Sequence, residues 1–368
     1  MPSLSFTGNM RVGVYLDTTE PKHTQVKEFS IDIMKRSSKV WASEFLSNIQ
    51  DMWTTIEKDV KTKGKASLLM PLQKSLFRFL SISMLGADPR SSPEIAEKAH
   101  ITLDIWLAMQ LLPTQKIGRL QPLEEILIHS FAYPFALVSR GYNKLYEFVK
   151  KEGCETVQRG VTEFGLTEDE AIHNLLFVLG FNAFGGFTVF IPTLINTLGA
   201  DKTGIQEKLR KEVRDIAGSD PVSFDSVKKM ELVQSFVYEC LRYSPPVKVQ
   251  FARARKDFVL NSHESGFQVK KGEMLYGYQP MAMRDPNVFD DPESFVPDRF
   301  TTEKGKELLN YLYWSNGPQT ATPSVSNKQC VAKDYVVWTA CMLIADLFQR
   351  YDSITVTDGS ITSVEKAK

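Results

Sequence analysis

The chain has 368 residues, enough for one large or two ordinary domains with a sizeable core. Lysine plus arginine and aspartate plus glutamate balance at 44 each, so no basic field points to nucleic acid or an anionic membrane. Four cysteines, Cys154, Cys240, Cys330 and Cys341, are scattered without CxxC pairs, which argues against structural zinc or a disulfide framework and for a reducing interior.

Residues 1–8 carry neither a charged-then-apolar signal nor an Arg-rich amphipathic transit pattern. Asp17-Thr-Thr-Glu-Pro21 then predicts a helix start, with polar caps and a proline in the first turn. Helical apolar spacing follows over 40–60 and 68–85, and again over 122–150 with a break near Pro134. From Val247 the texture changes. Residues 247–259 alternate, 261–266 form a turn cluster, and Lys271-Gly272 punctuates two further short strands. Proline-rich, aromatic, irregular chain runs from Tyr278 to a loop at Cys330, and a helix and an alternating tail (354–356, 361–364) finish it. With no repeats or linkers, residues 1–368 read as one compact domain, mainly α with a small β portion.

Residues 174–198 are apolar on every side and long enough to span a membrane. A buried core helix has the same composition. Burial is the favoured reading, because a solitary mid-chain span would divide helices that look like one core. Each mid-helix glycine of the Gly185-Gly186 pair costs about 1 kcal/mol relative to alanine, which suggests something bulky against the backbone. A buried Asn182 left unpaired would cost about 1–3 kcal/mol. On the residues alone, it reads as a satisfied core amide.

Cys330 sits in a turn-rich loop that opens onto a helical pattern, Val331, Tyr335, Trp338, Met342, Ile344, Phe348. A cysteine at a helix N-terminus is biased toward thiolate by unpaired N–H groups and the macrodipole. Thiolates are metal ligands or nucleophiles. Upstream, Glu239-Cys-Leu-Arg242 precedes Tyr243-Ser-Pro-Pro246, and Phe295-Val-Pro-Asp-Arg299-Phe300 follows. Alone, an ExxR is a surface pair worth a few tenths of a kcal/mol. Glu239, Arg242 and Arg299 in this order before the Cys330 loop resemble the ion triad and ligand loop of a cytochrome P-450. That resemblance implies the P-450 fold, a haem cofactor of the b type, and Cys330 as its axial thiolate ligand.

Asn327-Lys-Gln-Cys330 and Phe181-Asn-Ala-Phe-Gly-Gly-Phe187 are similar to the plant fatty-acid hydroperoxide branch: hydroperoxide lyases, allene oxide synthases and divinyl ether synthases. Residues 170–192, 311–320, 327–337 and 360–368 look closest to 13-hydroperoxide lyases. The resemblance covers essentially the whole chain. It implies cleavage of linolenate or linoleate 13-hydroperoxides to a C6 aldehyde and a 12-oxo acid, without dioxygen, NADPH or a reductase. Monooxygenases carry an acid–alcohol pair where this chain has Thr188-Val189, so the proton relay that dioxygen activation needs is missing. By resemblance, Asn182 is the catalytic and substrate-holding amide, and Thr188 a substrate contact that leans toward lyase. His23 and Lys27, one helical turn apart, match haem-propionate contacts, and Lys328, next to the ligand, matches a further haem-site residue of the family. Without the match, His23 and Lys27 read as a solvated face, and a solvated loop lysine is an equal reading of Lys328. His100, His129, His173 and His263 have no matched role, and Cys154, Cys240 and Cys341 read as packing residues.

The resemblance also implies a front that this sequence lacks: a plastid-targeting segment where present, an N-terminal sheet, and the helices and loop leading to the first haem helix. Met1 falls just before that helix, so the expected form is an N-terminally truncated P-450. Chloroplast localisation and peripheral membrane association are family expectations, with no transit peptide visible. Two readings follow: a working hydroperoxide lyase whose sequence is a shortened piece, or a shortened remnant without turnover. An ordinary monooxygenase, the third, would consume oxygen and NADPH through a reductase.

Overall fold

The computed structural model describes residues 7–8, 10–112, 118, 121–130 and 133–367. Pro21 starts α1 (Pro21–Lys63) as expected, its ring-fixed φ suiting the first turn. Gly64, with φ of 71°, ends it in the left-handed region. This single helix of 43 residues unites the predicted start near Pro21 with the spacing over 40–60. Helix α2 (Leu69–Leu80) runs into a π-helical turn, Ser81–Leu85. Then come α3 (Pro93–Leu111), α4 (Ala136–Glu152) and α5 (Cys154–Phe164). Between α3 and α4 a π turn, Glu125–His129, ends before Pro134, so the predicted break is present.

Helix α6 (Glu168–Leu176) is started by a capping box between Thr167 and Glu170. It continues through a π segment (Phe177–Phe184) into α7 (Gly185–Gly199). The joined helix, Glu168–Gly199, is long and apolar enough to cross a membrane, yet half of its apolar window is buried. Phe187, Phe190, Ile191, Leu194, Ile195 and Leu198 face the core, and the helix packs on α2, α3 and the helix carrying Glu239. A core helix explains its composition. Helices α8 (Ile205–Ala217), α9 (Glu231–Tyr243) and α10 (Lys333–Arg350) complete the helical body.

Strand β1 (Val249–Arg253) pairs antiparallel with β4 (Met274–Tyr278), and β2 (Phe258–Asn261) with β3 (Gly266–Val269). The alternation over 247–259 is therefore two strands of different ladders. The tail is a hairpin of β5 (Tyr351–Thr357) and β6 (Ser360–Lys366), bridged to the end of α1 through Ala66 and Ile361. Mainly helical with small sheets, the architecture matches the sequence-based expectation. α1 lies along α10, and polar bonds brace the pair, one of them from Arg350 to Gln50. Trp41 Nε1 donates to Thr339 Oγ1 at 2.8 Å, Trp53 Nε1 to Asp346 Oδ2 at 2.9 Å, and the Tyr335 hydroxyl to the Met34 carbonyl at 2.8 Å. These bonds fix where the start of α1 meets the Cys330 loop.

Candidate functional site

Glu239 and Arg242 are neighbours on one face of α9, and both are fully buried. Arg242 donates to the Glu239 carboxylate from Nε at 2.7 Å and Nη2 at 2.8 Å. Its other three N–H groups reach the carbonyls of Met283 (3.0 Å), Pro292 (2.8 Å) and Ser294 (2.9 Å). All five guanidinium donors are thus used. Arg299 Nε approaches the same carboxylate at 3.1 Å, and the Val296 N–H donates to it at 2.8 Å. The predicted triad is one connected network that ties the irregular stretch 283–299 to α9.

Cys330 is half-buried at the end of a loop that is shaped by neighbours the sequence did not single out. Gln329 is fully buried and donates from Nε2 to the Pro318 carbonyl at 2.6 Å. A Cβ at Gly317 would stand 2.8 Å from Gln329 Cδ, so the loop closes only over glycine there. Only the Gly-Pro pair hinted at this contact. The thiol itself departs from expectation. α10 begins at Lys333, beyond the cysteine, and burial pushes the Cys330 thiol up, outweighing the Ala332 N–H and Lys27, which act to lower it.

The predicted cations do gather at this loop. Lys27 Nζ donates to the Gln329 carbonyl at 2.5 Å, and burial brings its pKa down to about 8. His23 is buried, and its Nδ1 has no partner among the described residues; burial, then Lys328 and Lys27, hold its pKa below the usual range. Lys328 donates to the carbonyls of Gly13 and Val14, each at 3.1 Å, and of Leu16. That uses all three ammonium donors, so Lys328 straps the turn at 13–16 onto the cysteine loop. Asp17 and Glu20, the carboxylates that act on Lys328, are paired with Arg255 and Arg11. The result is a desolvated cationic edge with an orphaned imidazole nitrogen, next to a thiol.

Asn182 lies in the π segment, a helix type often found at functional sites. It is exposed, as is Val189, and a Cβ at Gly186 would meet nothing within 4 Å. Residues 182, 186 and 189 therefore mark one open strip along the helix. The expectation of a satisfied core amide is overturned for Asn182. Thr188 is off this strip: its hydroxyl is buried and has no partner among the described residues. On the other side, Gly180 lets Leu103 and Trp106 press in, since a Cβ there would stand 2.7 Å and 2.9 Å from them.

Comparison with known proteins gives these features a context. A family model described as cytochrome P450 matches residues 197–319, a stretch that contains Glu239, Arg242 and Arg299 but neither Asn182 nor Cys330. A fatty acid hydroperoxide lyase (chloroplastic) of Solanum lycopersicum is 62% identical over all of this chain and 78% of its own length. The chain belongs to the fatty acid hydroperoxide lyases of the cytochrome P450 family. A probable inactive linolenate hydroperoxide lyase of Arabidopsis thaliana is 58% identical over all of this chain and 96% of its own length. An allene oxide synthase (chloroplastic) of Linum usitatissimum is more distant, 40% identical over 98% of this chain and 67% of its own length. Membership of the P450 family implies a haem. The site fits one: a thiol for the iron, and a cationic edge with the unpartnered His23 Nδ1 for carboxylate substituents.

Proposed function

We propose that the chain is a haem-thiolate hydroperoxide lyase of oxylipin metabolism. Its substrates are 13-hydroperoxides of linolenic and linoleic acid, and its products a C6 aldehyde and a 12-oxo acid. No dioxygen, NADPH or reductase takes part. The observation that carries this reading is identity of 62% over all of this chain with a hydroperoxide lyase, against 40% over 98% of it with an allene oxide synthase. The cofactor is haem b, and residues 1–368 act as one haem domain. The relatives named chloroplastic support that compartment. Exposed Leu123, Ile126, Leu127 and Leu137 support peripheral contact with a membrane.

When bound, haem supplies homolytic cleavage of the hydroperoxide O–O bond, aided by thiolate electron donation. Cys330 would hold the iron, and that bond would offset the burial that raises its thiol pKa. His23 and Lys27 would hold the propionates. Lys328 frames the same edge, and reaches an anion by releasing one of its carbonyls. The Asn182 amide, exposed on the open strip, orients the hydroperoxide. Apolar Val189 on that strip offers no proton, as suits a substrate that arrives already reduced. Thr188 reaches substrate only if its buried hydroxyl turns toward the pocket. Glu239, Arg242 and Arg299 keep the chain leading to the ligand loop in place.

The test is to load the chain with haem and follow the decay of a 13-hydroperoxide and its products. Aldehyde and 12-oxo acid are expected; ketols derived from an allene oxide, or a divinyl ether, would overturn the lyase reading in favour of a synthase. A second reading, a member without turnover, is favoured by the 58% identity to a probable inactive relative that this chain covers to 96%. Thiolate-ligated haem with no hydroperoxide decay would establish it.

A further inference from the structure

A chain of oxidisable side chains leaves the Asn182 segment on the side away from the open strip, and the proposed lysis makes no use of it. Trp106, fully buried, packs on Gly180, two residues from Asn182 in the same π segment. Its ring centroid is 5.3 Å from that of Tyr142. Tyr142 is also fully buried; its hydroxyl lies 2.7 Å from His173 Nδ1, and the two rings are stacked. His173 in turn touches Tyr146, with centroids 5.2 Å apart. The Tyr146 hydroxyl donates to the carboxylate of Asp169, which is exposed. Burial holds the pKa of His173 below its usual range, so its imidazole is neutral near pH 7 and Nδ1 can accept a proton.

We infer that Trp106, Tyr142, His173 and Tyr146 form a one-electron relay that carries oxidising equivalents from the hydroperoxide site to the surface at Asp169. The inference rests on the lyase reading, because O–O homolysis of a hydroperoxide supplies the oxidant, an alkoxyl radical that escapes rearrangement. That radical takes one electron, through Trp106, and one proton from solvent, and becomes an alcohol; the hydroxyl half of the cleaved O–O bond takes a second electron by the same route and a second proton, and leaves as water. Tyr142 refills Trp106 while its hydroxyl proton moves to His173 Nδ1. Tyr146 then refills Tyr142, His173 returns the proton to the Tyr142 oxygen, and the Tyr146 proton passes to Asp169 and solvent. Each passage takes one electron and one proton from Tyr146, and over the two passages two external thiols restore it and close to a disulfide. The relay protects the haem pocket by moving the radical to a replaceable position.

The test uses the haem-loaded full chain with a radical trap present, and maps the trapped adducts by peptide mass spectrometry. The oxidant is a 13-hydroperoxide in one arm and tert-butyl hydroperoxide in the other. Wild type should carry adducts on Tyr146 in both arms. Tyr142→Phe and His173→Gln should lose that adduct. Tyr146→Phe should keep the initial rate but bleach its haem after fewer turnovers. If Tyr142→Phe fails to fold, His173→Gln and Tyr146→Phe decide. An undiminished Tyr146 adduct in folded Tyr142→Phe or His173→Gln would overturn the relay, as would consumption of tert-butyl hydroperoxide with no tyrosine adduct. Failure to cleave the fatty-acid hydroperoxide, with Tyr146 adducts still formed in the other arm, would instead count against the lyase reading.

Discussion

Replacing Glu239 by glutamine should destabilise the fold by about 3–5 kcal/mol, the range for breaking a fully buried ion pair from one side. Glu239 receives two N–H groups from Arg242, one from Arg299 and one from the Val296 backbone, with no exposure to water. The glutamine amide removes the charge and turns one acceptor into a donor that faces a guanidinium. Against a typical net stability of about 5–15 kcal/mol, that loss is large. An isolated buried pair can often be exchanged for apolar side chains without harm. Here it should not be, because Arg242 also serves the carbonyls of Met283, Pro292 and Ser294. Each one stranded costs about 1–3 kcal/mol. Urea unfolding of wild type, Glu239→Gln, Arg242→Met and Glu239→Leu/Arg242→Met checks this, read as midpoint shifts at constant slope. The three variants should fall together, the double no better than either single. A loss below about 1 kcal/mol in Glu239→Gln, or wild-type stability in the apolar double, would refute the network reasoning.

Burial lowers the folded-state pKa of both His100 and His173 from 6.5, so their stabilisation is present above 6.5 and is lost as pH falls through the depressed values. Acid unfolding of His100→Gln/His173→Gln should therefore start at a lower pH than in wild type; coincident curves would dismiss the two histidines as its cause. Gly180→Ala should cost about 1–3 kcal/mol by overpacking against Leu103 and Trp106. Gly186→Ala, with open space beside it, should instead stabilise the haem-free chain by up to about 1 kcal/mol and weaken haem uptake. Thermal melts and haem titrations of the pair distinguish these outcomes. His23→Gln and Lys27→Met should each speed haem transfer to apomyoglobin by about 10–100-fold; an unchanged rate would remove them from the propionate edge. Asn182→Leu should slow hydroperoxide decay by about 100-fold while the haem spectrum stays as it is, and equal decay rates would exclude the amide from the reaction.

The sequence made the helical body, the buried Glu168–Gly199 helix and the ion triad legible, because each has a local signature: apolar period, capping residues, an i,i+3 charge pair. Gathering His23 and Lys27 at the cysteine loop was legible only through family resemblance, since contacts some 300 positions apart leave no local trace. Three features were hidden for physical reasons. The π segment has no local signature in an apolar run, and the close packing of Leu103 and Trp106 on Gly180 within it is a long-range contact. The raised thiol pKa of Cys330 depends on burial, which competes with the favourable loop position. Thr188 stands beside Val189 in sequence, yet helical geometry turns one inward and leaves the other on the open strip.

The length of α1 has a mechanical consequence. Its 43 residues make a rod of about 65 Å. One end carries His23 and Lys27; the other is moored to the C-terminal hairpin, where Glu57 meets Tyr351 and Lys366, and Ala66 bridges to Ile361. Pivoting such a rod by one degree about its moored end shifts the His23 end by about 1 Å, comparable to the tolerance of a hydrogen bond. The accuracy of the cationic edge therefore depends on every mooring along the rod, from this hairpin to the bonds that Trp41 and the Met34 carbonyl make with the ligand-side helix.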